Sequence, residues 1–149
     1  MSRCLSSTVG EVLTENIAIL DWLAAEYPVL GVAGPLGRTR LIEALAFVST
    51  EIHRSFKPMW HAATDAERSR ASAQISALLN QISDTLAGAY LFGDRPSVAD
   101  FYLFVMLLWA KRFDVETPGR LTSLRERLIR RPAVEAALRH EGLLAALVE

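Results

Sequence analysis

The sequence predicts an all-α fold: a helical bundle preceded by a short strand-and-helix segment. Three observations carry that reading. Apolar residues recur at steps of three and four through most of the 149 residues. Helix start and stop signals punctuate them at intervals. One segment, "PSVADFYLFVMLLWAKRF", is apolar on every side after Ser97 and Asp100 until Lys111 and Arg112, as a helix covered by neighbours all round normally is.

The elements follow in order. Val12-Leu13 reads as a strand, and Ile17, Ile19, Leu20, Trp22 and Leu23 belong to a first helix. "YPVLGVAGPLG", rich in Gly and Pro, reads as a linker. We therefore expect a strand-and-helix segment over 1–27, a linker over 28–37 and a helical domain over 38–149. In "RTRLIEALAFVSTEIHRSFKPMW", Leu41, Ile42, Leu45, Val48, Ile52, Phe56 and Met59 make one face of a long helix. Pro58 deprives the Arg54 carbonyl of its donor, so a kink or stop is expected there. Thr64 followed by Glu67 is a capping-box signature. It opens a helix with Ile75, Leu78, Leu79, Ile82 and Leu86 inward and Gly88 as its stop. Pro96 ends the next loop. Ser97 is the expected N-cap of the all-apolar helix and Asp100 stands at its third position. The Ser97 oxygen is expected to accept from the Asp100 N–H while the carboxylate reaches back. A helix over roughly 120–130 should turn Leu121, Leu124 and Leu128 inward. Arg131-Pro132 breaks it, and "PAVEAALRH" follows with Pro132 in its first turn and Gly142 at its end. "LLAALVE" closes the chain as a short segment.

Composition narrows the function classes. The chain is 51% hydrophobic, enough for a real core in one domain. Sixteen basic residues against 17 acidic ones give a formal net charge of -1. That balance supplies no field for nucleic acid or an anionic membrane. The basic run of Arg120, Arg125, Arg127, Arg130 and Arg131 is accompanied by Glu126 and Glu135 and reads as a solvated face. The longest apolar run, Phe101 to Ala110, is about half the length of a membrane-spanning helix. The N-terminus has no apolar core and is not a secretory signal. A single cysteine, Cys4, forms no internal disulfide, so a reducing, cytoplasmic compartment fits best. His53, His61 and His140 share no metal-ligand geometry, and no metal is expected. No phosphate loop or nucleophile elbow is present.

Three stretches together resemble the glutathione transferase family. "VLTENIAILDWLA" is similar to the end of that family's thioredoxin-like N-terminal domain. There a strand meets an acidic residue beside a small polar one, and a helix follows. "RPSVADFYLF" is similar to the N-capping motif of the central helix of the C-terminal domain. "FVSTEIHRSFKPMW" with "FVMLLWAKRF" is most similar to the bacterial beta class. The resemblance implies a C-terminal-domain-like helical bundle preceded by a remnant of the thioredoxin-like domain. It also implies the family activity, conjugation of the thiol of glutathione to a hydrophobic electrophile. The family's opening strand, helix and strand, with the catalytic Tyr, Ser or Cys, have no match in the sequence. Neither has the cis-proline before the third strand, whose position falls on Arg3. By this resemblance roughly the first fifty residues of a typical member are expected to be absent, and the family activity is expected to be impaired by loss of the catalytic N-terminal unit.

Candidate site residues are read in both ways. A helix start offers free N–H groups and the positive end of the dipole, which suit a carboxylate, while Glu15 suits an ammonium group. By the resemblance, Glu15 and Asn16 hold the γ-glutamyl end of glutathione. Otherwise Thr14, Glu15 and Asn16 only cap the helix. His53 titrates near neutrality. By the resemblance, His53 and Arg54 face the glutathione sulfur, with His53 the catalytic candidate. Otherwise His53 is a half-exposed interface histidine. Tyr102, Trp109 and Phe113 line a hydrophobic substrate pocket on one reading and are core on the other. Cys4 falls in the third-strand region, away from the family's active-site cysteine, and reads as a small buried thiol. Uncovered sheet and helix surface predicts a homodimer. The alternative to an enzyme is a non-catalytic helical domain that binds a ligand or a partner protein.

Overall fold

The computed structural model describes residues 5–6, 10–62 and 64–143. Cys4, Arg3 and all of "LLAALVE" after Leu143 lie outside them. The structure is predominantly helical. A short antiparallel hairpin comes first: β1 (Leu5–Ser6) pairs with β2 (Val12–Leu13) in the register Leu5 to Leu13 and Ser6 to Val12. Among the described residues seven α-helices follow: α1 (Asn16–Glu26), α2 (Gly37–Phe47), α3 (Lys57–His61), α4 (Asp65–Asp84), α5 (Val98–Arg112), α6 (Gly119–Ile129) and α7 (Pro132–His140). Among the described residues no helix is long and apolar enough to cross a membrane. The chain forms two compact units, Met1–Arg54 with Leu86–Tyr102, and Ser55–Thr85 with Leu103–Glu149.

In the first unit, α1 packs on α2. The Gly/Pro-rich stretch after α1 contains a single 3-10 turn, Pro28–Leu30. Gly37 opens α2 pressed against the Val32 carbonyl. A Cβ there would sit 2.0 Å from that oxygen, so no other residue fits without moving backbone. The apolar stripe of α2 is buried at Leu41 and Leu45, and it continues through a π-helical turn, Val48–His53, at Val48 and Ile52. The periodicity gave no warning of that turn. Thr50 accounts for part of it: its hydroxyl donates to the Ala46 carbonyl at 3.0 Å, competing with the regular α-helical ladder. The break expected at Pro58 occurs. Helical geometry lapses at Phe56 and resumes as α3 with Pro58 in its first turn.

Also in the first unit, Asp100 organises the start of α5. Its side chain is fully buried. It accepts from the backbone N–H and the hydroxyl of Ser97, each at 2.8 Å, and from the Leu91 N–H at 2.8 Å. The Ser97 hydroxyl thus donates to the carboxylate instead of accepting from the Asp100 N–H, which turns to the Ser97 carbonyl at 3.0 Å. The reason lies in the second carboxylate oxygen. It is committed to the preceding loop at Leu91, so the carboxylate lies buried where it needs every available donor. Burial pushes the Asp100 carboxyl above its ordinary pKa, and its hydrogen bonds offset only part of that effect.

In the second unit, α4 opens with the full capping box. Thr64 Oγ1 accepts from the Glu67 N–H at 3.2 Å, and Glu67 accepts from the Thr64 N–H at 3.0 Å. Ala71, Ile75, Leu79 and Ile82 are buried along it, and Leu78 is half-buried. The helix stops before Gly88. It ends at Asp84, where the Thr85 hydroxyl donates to the Ile82 carbonyl at 2.8 Å. Leu86 is buried but lies beyond the helix. Arg120 satisfies another carbonyl of this last turn, donating to Ser83 at 3.0 Å. Leu121, Leu124 and Leu128 of α6 are all fully buried. α7 begins at Pro132. After it, Gly142 with φ +69° lets Leu143 donate back to the Leu138 carbonyl.

Candidate functional site

The corner between β2 and α1 lies in the first unit. Glu15 is the N-cap of α1, with extended backbone (φ -93°, ψ 132°), and its carbonyl accepts from the Ile19 N–H at 2.9 Å. Neither its side chain nor any other in the cap position accepts from the first turn. The first N–H groups of α1 are thus left to other partners at the positive end of the helix dipole. The corner borders a cleft of about 430 Å³ lined by Glu15, Asn16, Ile17, Ala18 and Asp21 from the α1 side, with Ile42 and Ser49 opposite. Asp21 is tied up by Arg38 in a two-pronged pair, Nε to Oδ1 at 2.9 Å and Nη2 to Oδ2 at 2.6 Å. The guanidinium lowers the Asp21 carboxyl below its usual pKa. With Asp21 compensated, Glu15 is the carboxylate of the cleft wall that makes no ion pair among the described residues. A cleft with a helix N-terminus and a carboxylate on one wall suits a ligand carrying both an anionic and a cationic group.

Sequence reasoning named Glu15 and Asn16 but missed Asp21, Ile42 and Ser49. Asp21 carried no signal, because the residue that pairs with it, Arg38, lies 17 positions away. Ser49 stands beside Thr50, and the Ser-Thr pair was the available hint of a distorted turn.

His53 is the last residue of the π-helical turn and Arg54 follows it; both are exposed. Neither is among the residues lining the cleft. His53 Nδ1 lies 2.8 Å from the Tyr102 hydroxyl, and the two rings meet edge to face with centroids 5.9 Å apart. Partial burial lowers the imidazole pKa below its ordinary value, so the neutral ring is favoured at pH 7.

The three aromatic candidates divide. Tyr102 is 8% exposed, its hydroxyl on His53. Trp109 and Phe113 belong to the second unit, in a cluster with Phe56 and Trp60. Trp60 meets Trp109 at 5.4 Å and Phe113 at 4.7 Å between centroids, both near-perpendicular, and Phe56 meets Trp109 at 5.5 Å. Trp60 is 41% exposed, with the Arg112 guanidinium 4.9 Å from its ring centre. This cluster is therefore partly core and partly an accessible aromatic surface. Among the described residues no group of His, Cys, Asp and Glu could hold a metal ion.

Comparison with known proteins places the chain. Residues 64–140 match the family model "Glutathione S-transferase, C-terminal domain". The chain belongs to the glutathione S-transferase family. It is 32% identical over 141 residues to glutathione S-transferase GstA of Escherichia coli, covering 90% of this chain and 70% of that protein. A sphingomonad glutathione S-transferase, solved in complex with glutathione, superposes with a TM-score of 0.83 at 37% identity. That match covers 94% of this chain and 73% of the other. A beta-class glutathione S-transferase of Sphingomonas chungbukensis superposes with a TM-score of 0.80 at 36% identity, again over 94% and 73%. The glutathione S-transferase resemblance read from three motifs thus extends over most of the chain, and the bacterial beta-class likeness holds over 94% of it.

Proposed function

We propose that this chain binds glutathione and serves glutathione transfer to hydrophobic electrophiles. Glu15 and Asn16 receive the γ-glutamyl end, and His53, followed by Arg54, attends the thiol. The observation that carries the reading is the start of α1, open to a cleft beside the Glu15 carboxylate, which makes no ion pair among the described residues. The γ-glutamyl end carries an ammonium and a carboxylate, and this corner offers a complement to each. The likeness to a family member solved with glutathione supports the same ligand. A free thiol ionises well above pH 7, so conjugation requires electrostatic help for the thiolate. His53 is the group this chain offers for it. Trp109 and Phe113, with Trp60, offer aromatic surface for the electrophile. Apolar surface left open on β2, α1 and the stretch after it further supports a homodimer.

The test is calorimetry with glutathione, paired with a conjugation assay on a generic aromatic electrophile. We expect binding, weakened at least tenfold by Glu15→Ala, and turnover that His53→Ala lowers by about two orders of magnitude. Binding without turnover would favour the non-catalytic ligand-binding alternative. Absence of both would remove glutathione from the picture.

A further inference from the structure

We propose that Tyr102 is a positioning residue for His53: its hydroxyl donates to Nδ1 and so fixes the imidazole with its proton on Nε2. The inference rests on the reading of His53 as the group beside the thiol. Both partners stand on well-anchored elements. Tyr102 is on α5 two residues after the buried Asp100, and it is itself buried to 8% exposure. His53 ends a π-helical turn pinned by the fully buried Val48 and Ile52. The 2.8 Å separation and the perpendicular ring contact at 5.9 Å hold the imidazole in one orientation.

The direction of the bond follows from chemistry. A phenol hydroxyl is a good donor, and the unprotonated nitrogen of a neutral imidazole is a better acceptor than a phenol oxygen. Partial burial of the ring favours the neutral form that can accept. With Nδ1 occupied as an acceptor, the ring's own proton must be on Nε2. His53 then serves as an oriented N–H donor toward a thiolate, a stabiliser of charge rather than a base. Protonation of His53 would make Nδ1 a donor and force the hydroxyl to reverse. A tyrosine on a buried helix is ordinarily read as core, and here the same position sets the state of an exposed histidine.

The test is Tyr102→Phe, which keeps the ring and the edge contact and removes only the hydroxyl. Nitrogen NMR of the His53 side chain, without glutathione, is the readout. In the native protein Nε2 should carry the proton and Nδ1 should show the upfield shift of a hydrogen-bonded acceptor. In Tyr102→Phe that upfield shift should vanish and the His53 pKa should rise, because a donor to the neutral form has been lost. Glu51, Arg54 and Asp100 are present in both proteins, so the difference reports the hydroxyl. Unchanged shifts and pKa, a fall in pKa, or a native ring protonated on Nδ1 would each overturn the proposal. The native spectrum decides alone if the variant does not fold. Conjugation should fall roughly tenfold in Tyr102→Phe at unchanged glutathione affinity. A native protein without turnover would count against the proposed function, while the NMR result would still judge Tyr102.

Discussion

Asp100 joins the loop before α5 to the helix itself, with three donors converging on one buried carboxylate. Asp100→Ala would strand the Leu91 N–H, the Ser97 N–H and the Ser97 hydroxyl in the interior. We expect a loss of about 2–4 kcal/mol and a lower melting temperature. An unchanged melting temperature would refute the role. The pH dependence has a definite sign. Burial raises the carboxyl above 3.8, so between that value and the raised one the folded state holds a proton that the unfolded chain has released. Stability from this group is therefore greatest at low pH and declines as pH rises through that window. Asp100→Asn cannot ionise and escapes the decline. Urea unfolding from about pH 4 to pH 8 should show the gap between native and Asn forms moving in favour of Asn with rising pH. At this scale the sequence disclosed that Ser97 and Asp100 act together, because both lie within one turn. The Leu91 contact was not legible, since it depends on how a nine-residue separation folds back.

Among the elements, α4 was read most fully at its start and least well at its end. The capping box needs only Thr64 and Glu67 three positions apart, and a helix supplies the rest. Thr64→Ala should cost about 1 kcal/mol. For a chain of this size that is a fall of roughly 2–4 °C in melting temperature, measurable by circular dichroism. No shift would mean that the box forms but contributes nothing. The end of α4 was placed too late because Gly88 is an apparent stop. Thr85 closes the helix earlier through its own hydroxyl. The π-helical turn also escaped the periodicity. A turn of that kind inserts one residue into the ladder, yet Val48 and Ile52 keep the same buried face as the preceding α2. The apolar pattern therefore reads as one continuous helix, and only Thr50 marks the distortion.

For the molecule as a whole, the notable feature is apolar surface left uncovered in the first unit. On α1 only Ile19 is buried, while Ile17, Leu20, Trp22 and Leu23 are half-buried. Val12 is 55% exposed, and Tyr27, Val29 and Leu36 are 57%, 61% and 60% exposed. Monomeric proteins rarely leave such a set open to water. We expect a homodimer at micromolar concentration by light scattering. A stable monomer there would count against the assignment of this surface to self-association.

Three motifs carried the resemblance to the glutathione S-transferase family, and the sequence by itself determined the helical class, the order of the elements, the pairing of Ser97 with Asp100, the cap at Thr64 and the break at Pro58. Those depend on local spacing: periodicity, capping chemistry and proline geometry act within a few residues. Only the tertiary structure decided which side chains meet. Arg38 compensates Asp21 across 17 positions, Tyr102 takes hold of His53 across 49, and Trp60 joins Trp109 and Phe113. Such contacts arise from helices packing side by side, and a one-dimensional pattern of apolar and polar residues does not encode which faces come to touch.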